Sequence, residues 1–129
     1  MKTLLANQFK TPLKPLVKQA QGLCISIYMP NYSSRKGQRQ QNLIHFQKLL
    51  RQAQELLSAN RRSPIIALKI LQPAFTLMYD KAFWQHQDKG LALFLAQGVF
   101  YYYHLPVVVE ELVVMDERFY FEPFVGLMH

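Results

Sequence analysis

The sequence predicts an α+β fold, a mostly antiparallel sheet of about four or five strands packed against two longer helices. Three observations carry this. Apolar residues recur at three-four spacing through residues 38–58 and again beyond Ser63. Residues 23–29 and the last third of the chain are rich in β-branched and aromatic residues and are broken by turn-forming pairs. Half of the 129 residues are hydrophobic, enough for one core without covalent staples, so a single domain over 1–129 is expected.

Taken in order, the first element is a short helix over 12–20. Thr11 and Pro12 offer a cap followed by proline at the first helical position, Leu13, Leu16 and Val17 have helical spacing, and Gly22 stops it. Leu23 to Met29 reads as a strand ending at Pro30, and the polar residues 31–37 as a loop. Over 38–58 the stripe Leu43, Phe46, Leu50, Ala53 and Leu57, widened by Leu49 and Leu56, makes an amphipathic helix. Lys48, Arg51 and Glu55 fall on its other face, where Arg51 and Glu55 are four apart and can pair. Residues 59–62 link to a second helix, started by Ser63 and Pro64. Ile65, Ile66, Leu68, Ile70 and Leu71 make that helix apolar nearly all round, so it is expected to be buried. Pro73 should interrupt it, with the helix resuming after a kink over 74–79. Asp80 then caps a short turn carrying Phe83 and Trp84.

In the last third, Leu91–Ala96 and Val99–His104 form a hairpin around Gln97 and Gly98. Alternation puts Phe100, Tyr102 and His104 on one face and Tyr101 and Tyr103 on the other. A second hairpin is predicted from Leu112–Met115 and Phe119–Phe121 around Asp116, Glu117 and Arg118. There are no internal repeats and no low-complexity segments.

Composition narrows the classes. Cys24 is the only cysteine, so no intrachain disulfide exists, in keeping with a reducing compartment. Its apolar surroundings read as those of a small buried hydrophobe. The N-terminal apolar run, Leu4 to Ala6, is too short for a secretory signal. The stretch from Leu105 to Met115 is broken by Pro106, Glu110 and Glu111 and cannot span a bilayer. A soluble, cytoplasmic protein without membrane contact is expected. The net charge of +7 is unevenly placed. Residues 1–79 carry twelve Lys and Arg against one acid, Glu55, whereas residues 80–129 carry three against seven. Such a split marks either a polyanion-facing surface or a solvated basic helix.

Catalytic and metal-binding patterns are missing. None of His45, His86, His104 and His129 stands at ligand spacing from another histidine or from Cys24, and no cofactor motif occurs. There is no Gly-x-Ser-x-Gly elbow and no phosphate-cradling glycine pattern. Glu110 and Glu111 are adjacent and would point to opposite sides of a strand, so they read as a solvated turn. The site-like feature is basic. Arg35, Lys36, Arg39, Lys48, Arg51, Arg61 and Arg62 flank or ride on the long helix, and such side chains neutralise phosphates without a base-specific code. Gln38, Gln40, Gln41 and Asn42 add donors for sugar and phosphate oxygens. A free helix N-terminus next to Arg35, Lys36 and Arg39 favours phosphate as well. The run Tyr101, Tyr102 and Tyr103 offers either a stacking platform for single-stranded bases or core packing.

Several segments follow one another at family-like distances: Cys24 to Pro30, Gln40 to Asn42, Phe46 to Ala53, Phe83 to Gln87, and Gly90 to Phe94. Leu105 and Pro106, Glu110 to Val114, Arg118, Phe119 and Pro123 complete the set. From about residue 12 onward the chain thereby resembles the N-terminal domain of the bacterial archaeo-eukaryotic-type release factor family, related to eukaryotic release factor and Pelota proteins. The resemblance implies the first of three domains, one that faces the decoding region of the small ribosomal subunit. It implies a role in release, rescue or hibernation. The family's middle domain carries a Gly-Gly-Gln loop in some members, and residue 129 falls where that domain would begin. The one Gly-Gln here, Gly37 and Gln38, lies in a polar loop, and the Asn-Ile-Lys-Ser signature of stop-codon readers is absent.

The expectation is therefore a ribosome- or structured-RNA-binding module with no catalysis of its own. The alternative is a protein–protein adaptor working through its β-hairpin surface, or a homodimer formed through an edge strand. The purified 129-residue chain is expected to release no peptide from ribosomes carrying peptidyl-tRNA; hydrolysis in that assay would overturn the non-enzymatic reading.

Overall fold

The computed structural model describes residues 2–4, 23–31, 36–61 and 63–125, with side chains over 23–31, 40–61 and 63–123. The elements are β1 (Lys2–Leu4), β2 (Cys24–Pro30), α1 (Lys36–Ala59), α2 (Pro64–Leu77), α3 (Lys81–Gln85), β3 (Gly90–Ala96), β4 (Val99–Leu105), β5 (Leu112–Asp116) and α4 (Glu122–Val125). They form an α+β structure around one five-stranded sheet of order β1-β4-β3-β2-β5. β1 runs parallel to β4, and every other pair is antiparallel. The helix expected over 12–20 lies outside the described residues.

Local chemistry accounts for the element ends. Ser63 caps α2 by accepting the Ile66 N–H through its hydroxyl at 3.2 Å, and Pro64 follows at the first helical position. Asp80 caps α3 by accepting the Phe83 N–H at 3.0 Å. The β3–β4 hairpin turns at Gln97 and Gly98, where Gly98 takes φ +78°, a conformation that disfavours side chains. Arg61 holds the same left-handed region, φ 58°, at the corner between α1 and α2.

Two cores lie on the two faces of the sheet. On the helical side, Ile25, Ile27, Met29, Leu91, Leu93, Leu95 and Tyr102 meet Phe46, Leu49, Leu50, Ala53 and Leu57 of α1. Ala67, Ile70, Leu71, Ala74 and Leu77 of α2, with Phe83 and Trp84 of α3, complete that layer. On the other side, Cys24, Tyr28, Ala92, Phe94, Ala96, Tyr103 and Leu105 are closed over by Phe119. Phe94 is central there, with Tyr28, Tyr103, Phe119 and Phe121 ring centroids within 5.1 to 5.9 Å.

Three expectations change. Pro73 does not divide α2, which runs unbroken from Pro64 to Leu77. The buried positions 67, 70, 71, 74 and 77 keep three-four register across the proline, so packing on one stripe outweighs the missing N–H. Nor is α2 buried all round. Ile65 is 68% and Leu68 54% exposed, because a helix in an outer layer can turn only one stripe to the sheet. Finally, Phe119–Phe121 is not a strand, and β5 pairs with β2 instead, Ile27 opposite Val113. The 119–121 segment crosses the sheet face. The Tyr120 N–H donates to Ser26 Oγ at 2.9 Å, and the Tyr28 hydroxyl donates to the Tyr120 carbonyl. Burial, with Tyr120 and Tyr103 nearby, raises the Tyr28 phenol above its usual range, which keeps that donor protonated.

Gly90 starts β3 under the 105–109 turn. A Cβ there would meet the Val107 carbonyl oxygen at 2.6 Å and Leu105 Cβ and Val109 Cγ2 at 3.2 Å. Gly90→Ala is therefore expected to cost about 1–3 kcal/mol of stability in urea unfolding; an unchanged midpoint would show that the turn moves away freely.

Candidate nucleic-acid interface

The apolar stripe of α1 sets what faces outward. With Phe46, Leu49, Leu50, Ala53 and Leu57 against the sheet, an exposed stripe of Gln40, Ile44, Lys48, Arg51 and Glu55 is left on the outer side, with Gln47 and Gln54 beside it. Lys48 and Arg51 thus stand one turn apart on the surface, as their spacing predicts. Arg51 and Glu55 are both exposed and form no ion pair with each other, and such an exposed pair would gain little over hydration. Arg61 is exposed at the corner after α1, and Lys69 is exposed on α2. Lys36 and Arg39 belong to the first turn of α1, whose side chains lie outside the description, and Arg35 and Arg62 are outside the described residues.

Apart from Glu55 on that stripe, the acids of the described residues lie elsewhere. Glu110, Glu111, Asp116 and Glu117 are exposed on β5 or its flanks, Asp88 before β3 and Glu122 at the start of α4, and the Asp80 carboxylate is engaged in its cap. Cations thus predominate on the helical layer, which also carries Glu55, and carboxylates predominate around β5, which Arg118 follows. One contact crosses between them: His45 Nε2 of α1 meets Glu111 Oε1 just before β5. The reading of Glu110 and Glu111 as a solvated turn misses this contact, because nothing in the sequence signals that residues 45 and 111 meet.

A shallow recess of about 150 Å³ opens between α1 and α3, lined by Gln40, Leu43, Lys81, Trp84 and Gln85. Trp84 is held rigidly at its wall. Its indole N–H donates to the Leu77 carbonyl at 3.0 Å, and its ring packs edge-on to Phe46 and Phe83 at 5.0 and 4.9 Å. Sequence reasoning missed this site, since its two sides come from separate helices.

Other candidates are resolved by burial. The tyrosine run is not a stacking platform. Tyr102 is 4% exposed and packs on Phe83 at 4.9 Å, while Tyr103 is fully buried and packs on Phe94 at 5.6 Å. Both faces of β4 are covered, so alternation sends one ring into each core. β3 is buried along its whole length, while its hairpin partner β4 and the edge strand β5 keep half-buried positions. Cys24 is buried, and its thiol donates to the Glu117 carbonyl at 3.4 Å. Burial, and secondarily Asp116, raises the thiol above its usual range, which makes it a poor nucleophile. Among the described residues no three or more His, Cys, Asp or Glu gather as a metal site, and no helix is long and apolar enough to cross a membrane. A scan of protein-family models finds no match, and no curated protein matches the sequence either.

His104, next to last in β4, is half-buried beside Phe83 and Tyr102, with ring centroids at 5.4 and 5.6 Å. Burial lowers its pKa below 6.5, although Asp88 pulls the other way. The folded state therefore binds this proton less readily than the unfolded state. The His104 contribution is full above pH 6.5 and is lost as pH falls through the lowered value. Urea midpoints are expected to fall on acidification across that range, and His104→Gln should flatten this part of the profile. An equal slope in both proteins would remove His104 as the cause.

Proposed function

We propose that this chain is a ribosome- or structured-RNA-binding module, non-catalytic by itself, that docks through the outer face of α1. The observation that carries this is the exposed Lys48 and Arg51 at one-turn spacing on that face, neither of them in an ion pair with a described carboxylate. Two cations about 4.5 Å apart along a helix axis meet a polyanion's closely spaced charges better than scattered ones. Arg35, Lys36 and Arg39 extend the same basic region in sequence, and Arg61, Arg62 and Lys69 continue it beyond α1. The resemblance to a release-factor N-terminal domain supports the same reading, with rescue or hibernation as the role and the cytoplasm as the compartment.

A second reading, a protein adaptor, is favoured by one observation. α2 exposes Ile65 and Leu68, with Ile66 at 36%, beside the cations Arg61 and Lys69. That combination suits a partner helix with apolar anchors and an acidic rim. A homodimer through the β5 edge is less favoured. Glu110 and Glu111 precede that strand and Asp116 and Glu117 end it, so antiparallel pairing with a second copy would bring like charges together.

Salt dependence separates the readings. Binding to ribosomes and to an RNA duplex should weaken steeply with salt. The changes Lys48→Ala with Arg51→Ala, and separately Arg35→Ala, Lys36→Ala and Arg39→Ala, should lower affinity. Each lost phosphate contact should reduce the log–log slope by somewhat less than about one unit. Unaltered affinities and slopes in both variants would sink the RNA reading. Salt-insensitive binding lost in Leu68→Asp would establish the adaptor.

A further inference from the structure

We propose that the recess between α1 and α3 receives a single unstacked base of single-stranded RNA. This rests on the RNA reading above and narrows it, from a surface that meets any phosphate backbone to one that prefers unpaired strand.

Size limits the occupant first. Drug-sized ligands take pockets of roughly 300–1,000 Å³, whereas a space of about 150 Å³ is the size that accepts one six-membered ring, as engineered apolar cavities accept benzene. The recess measures about 150 Å³ and, being shallow and open, has room for one pyrimidine ring lying against its wall. Its lining matches in chemistry too. Leu43 and the largely buried Trp84 make the lining mainly apolar, and the flexible side chains of Gln40 and Gln85 stand at its border, where their amides can turn to a base edge. Lys81 adds a cation at the rim, where the nucleotide's own phosphate would lie. An apolar side chain from a protein partner would use the wall but would leave the Lys81 ammonium at the rim without a counter-charge.

Position links the recess to the basic face. Gln40 belongs to the exposed α1 stripe that continues through Ile44 to Lys48 and Arg51. At the α-helical rise, Lys48 lies about 12 Å along the axis from Gln40. Adjacent phosphates of one strand lie ~3.4 Å or more apart along their axis, so that interval spans a few nucleotides. One strand can therefore place a base in the recess and its following phosphates on Lys48 and Arg51. A duplex cannot, because its bases stay paired and stacked.

The chain has one tryptophan, so its intrinsic fluorescence reports on Trp84 alone. The test titrates the full chain with an oligouridylate and with a blunt RNA duplex of equal length. Binding is followed by anisotropy of a 5′ fluorescein label, and Trp84 emission is read in parallel titrations with unlabelled RNA. Oligouridylate should shift or quench Trp84 emission in step with binding, whereas the duplex should bind without that change. Gln85→Phe, at an exposed position, fills the recess. It should abolish the emission change and weaken oligouridylate binding severalfold, while leaving duplex binding unaltered. Lys81→Ala should weaken oligouridylate more than duplex. If oligouridylate binds with no change in Trp84 emission, if the duplex changes it equally, or if Gln85→Phe leaves the change intact, the base-recess inference falls and the phosphate-binding reading stands. If neither RNA binds, both fall.

Discussion

All seven residues of β3 are buried, and that requirement organises the rest of the structure. A strand buried on both faces needs paired neighbours at both edges and a cover on each side, or its apolar side chains meet water. β2 and β4 supply the edges, in registers that set Leu93 between Ile27 and Tyr102. α1, α2 and α3 cover one face. The other face, which holds Phe94, is closed by the aromatic run at Phe119–Phe121. This is why 119–121 is not free to be a strand. Its rings are needed over Phe94, and its backbone is tied to β2 through Ser26 and Tyr28.

Covering the sheet also fixes the orientation of α1. Full burial of Phe46, Leu49, Leu50, Ala53 and Leu57 leaves one rotation about the helix axis, and that rotation sends Lys48 and Arg51 to solvent. The basic face is thus a consequence of core packing: the stripe that stabilises the sheet determines which cations are displayed. α3 is set by the same core, because Trp84 reaches across to Phe46 and to the Leu77 carbonyl. The recess between α1 and α3 is what remains between two helices whose spacing those aromatic contacts hold.

Charge follows from this layout. β5 is an edge strand beside β2, and its flanks carry carboxylates, a common protection against unwanted strand pairing. The helical layer carries most of the cations of the described residues. Between them, His45 and Glu111 join α1 to the start of β5, so the basic face and the acidic edge belong to one packed unit. The exposed Ile65 and Leu68 stand on the helical layer as well, placing the cationic and apolar surface of the described residues mainly on one side of the sheet.

The sequence by itself determined whatever depends on local spacing. The stripe of α1, the Ser63 and Asp80 caps, the Gln97–Gly98 turn and the outward position of Lys48 and Arg51 all follow from residues within a turn or two of each other. Tertiary structure decided what depends on which surfaces meet. It covered both faces of β4 and so buried Tyr102 and Tyr103, where the sequence left a stacking platform open. It left Ile65 and Leu68 in water although their composition reads as buried, carried α2 through Pro73, paired β5 with β2, and brought Gln40 to Lys81 and His45 to Glu111. The reason is physical: periodicity fixes which residues share a face, but a face is buried only if another element covers it, and that depends on contacts between segments far apart in the chain.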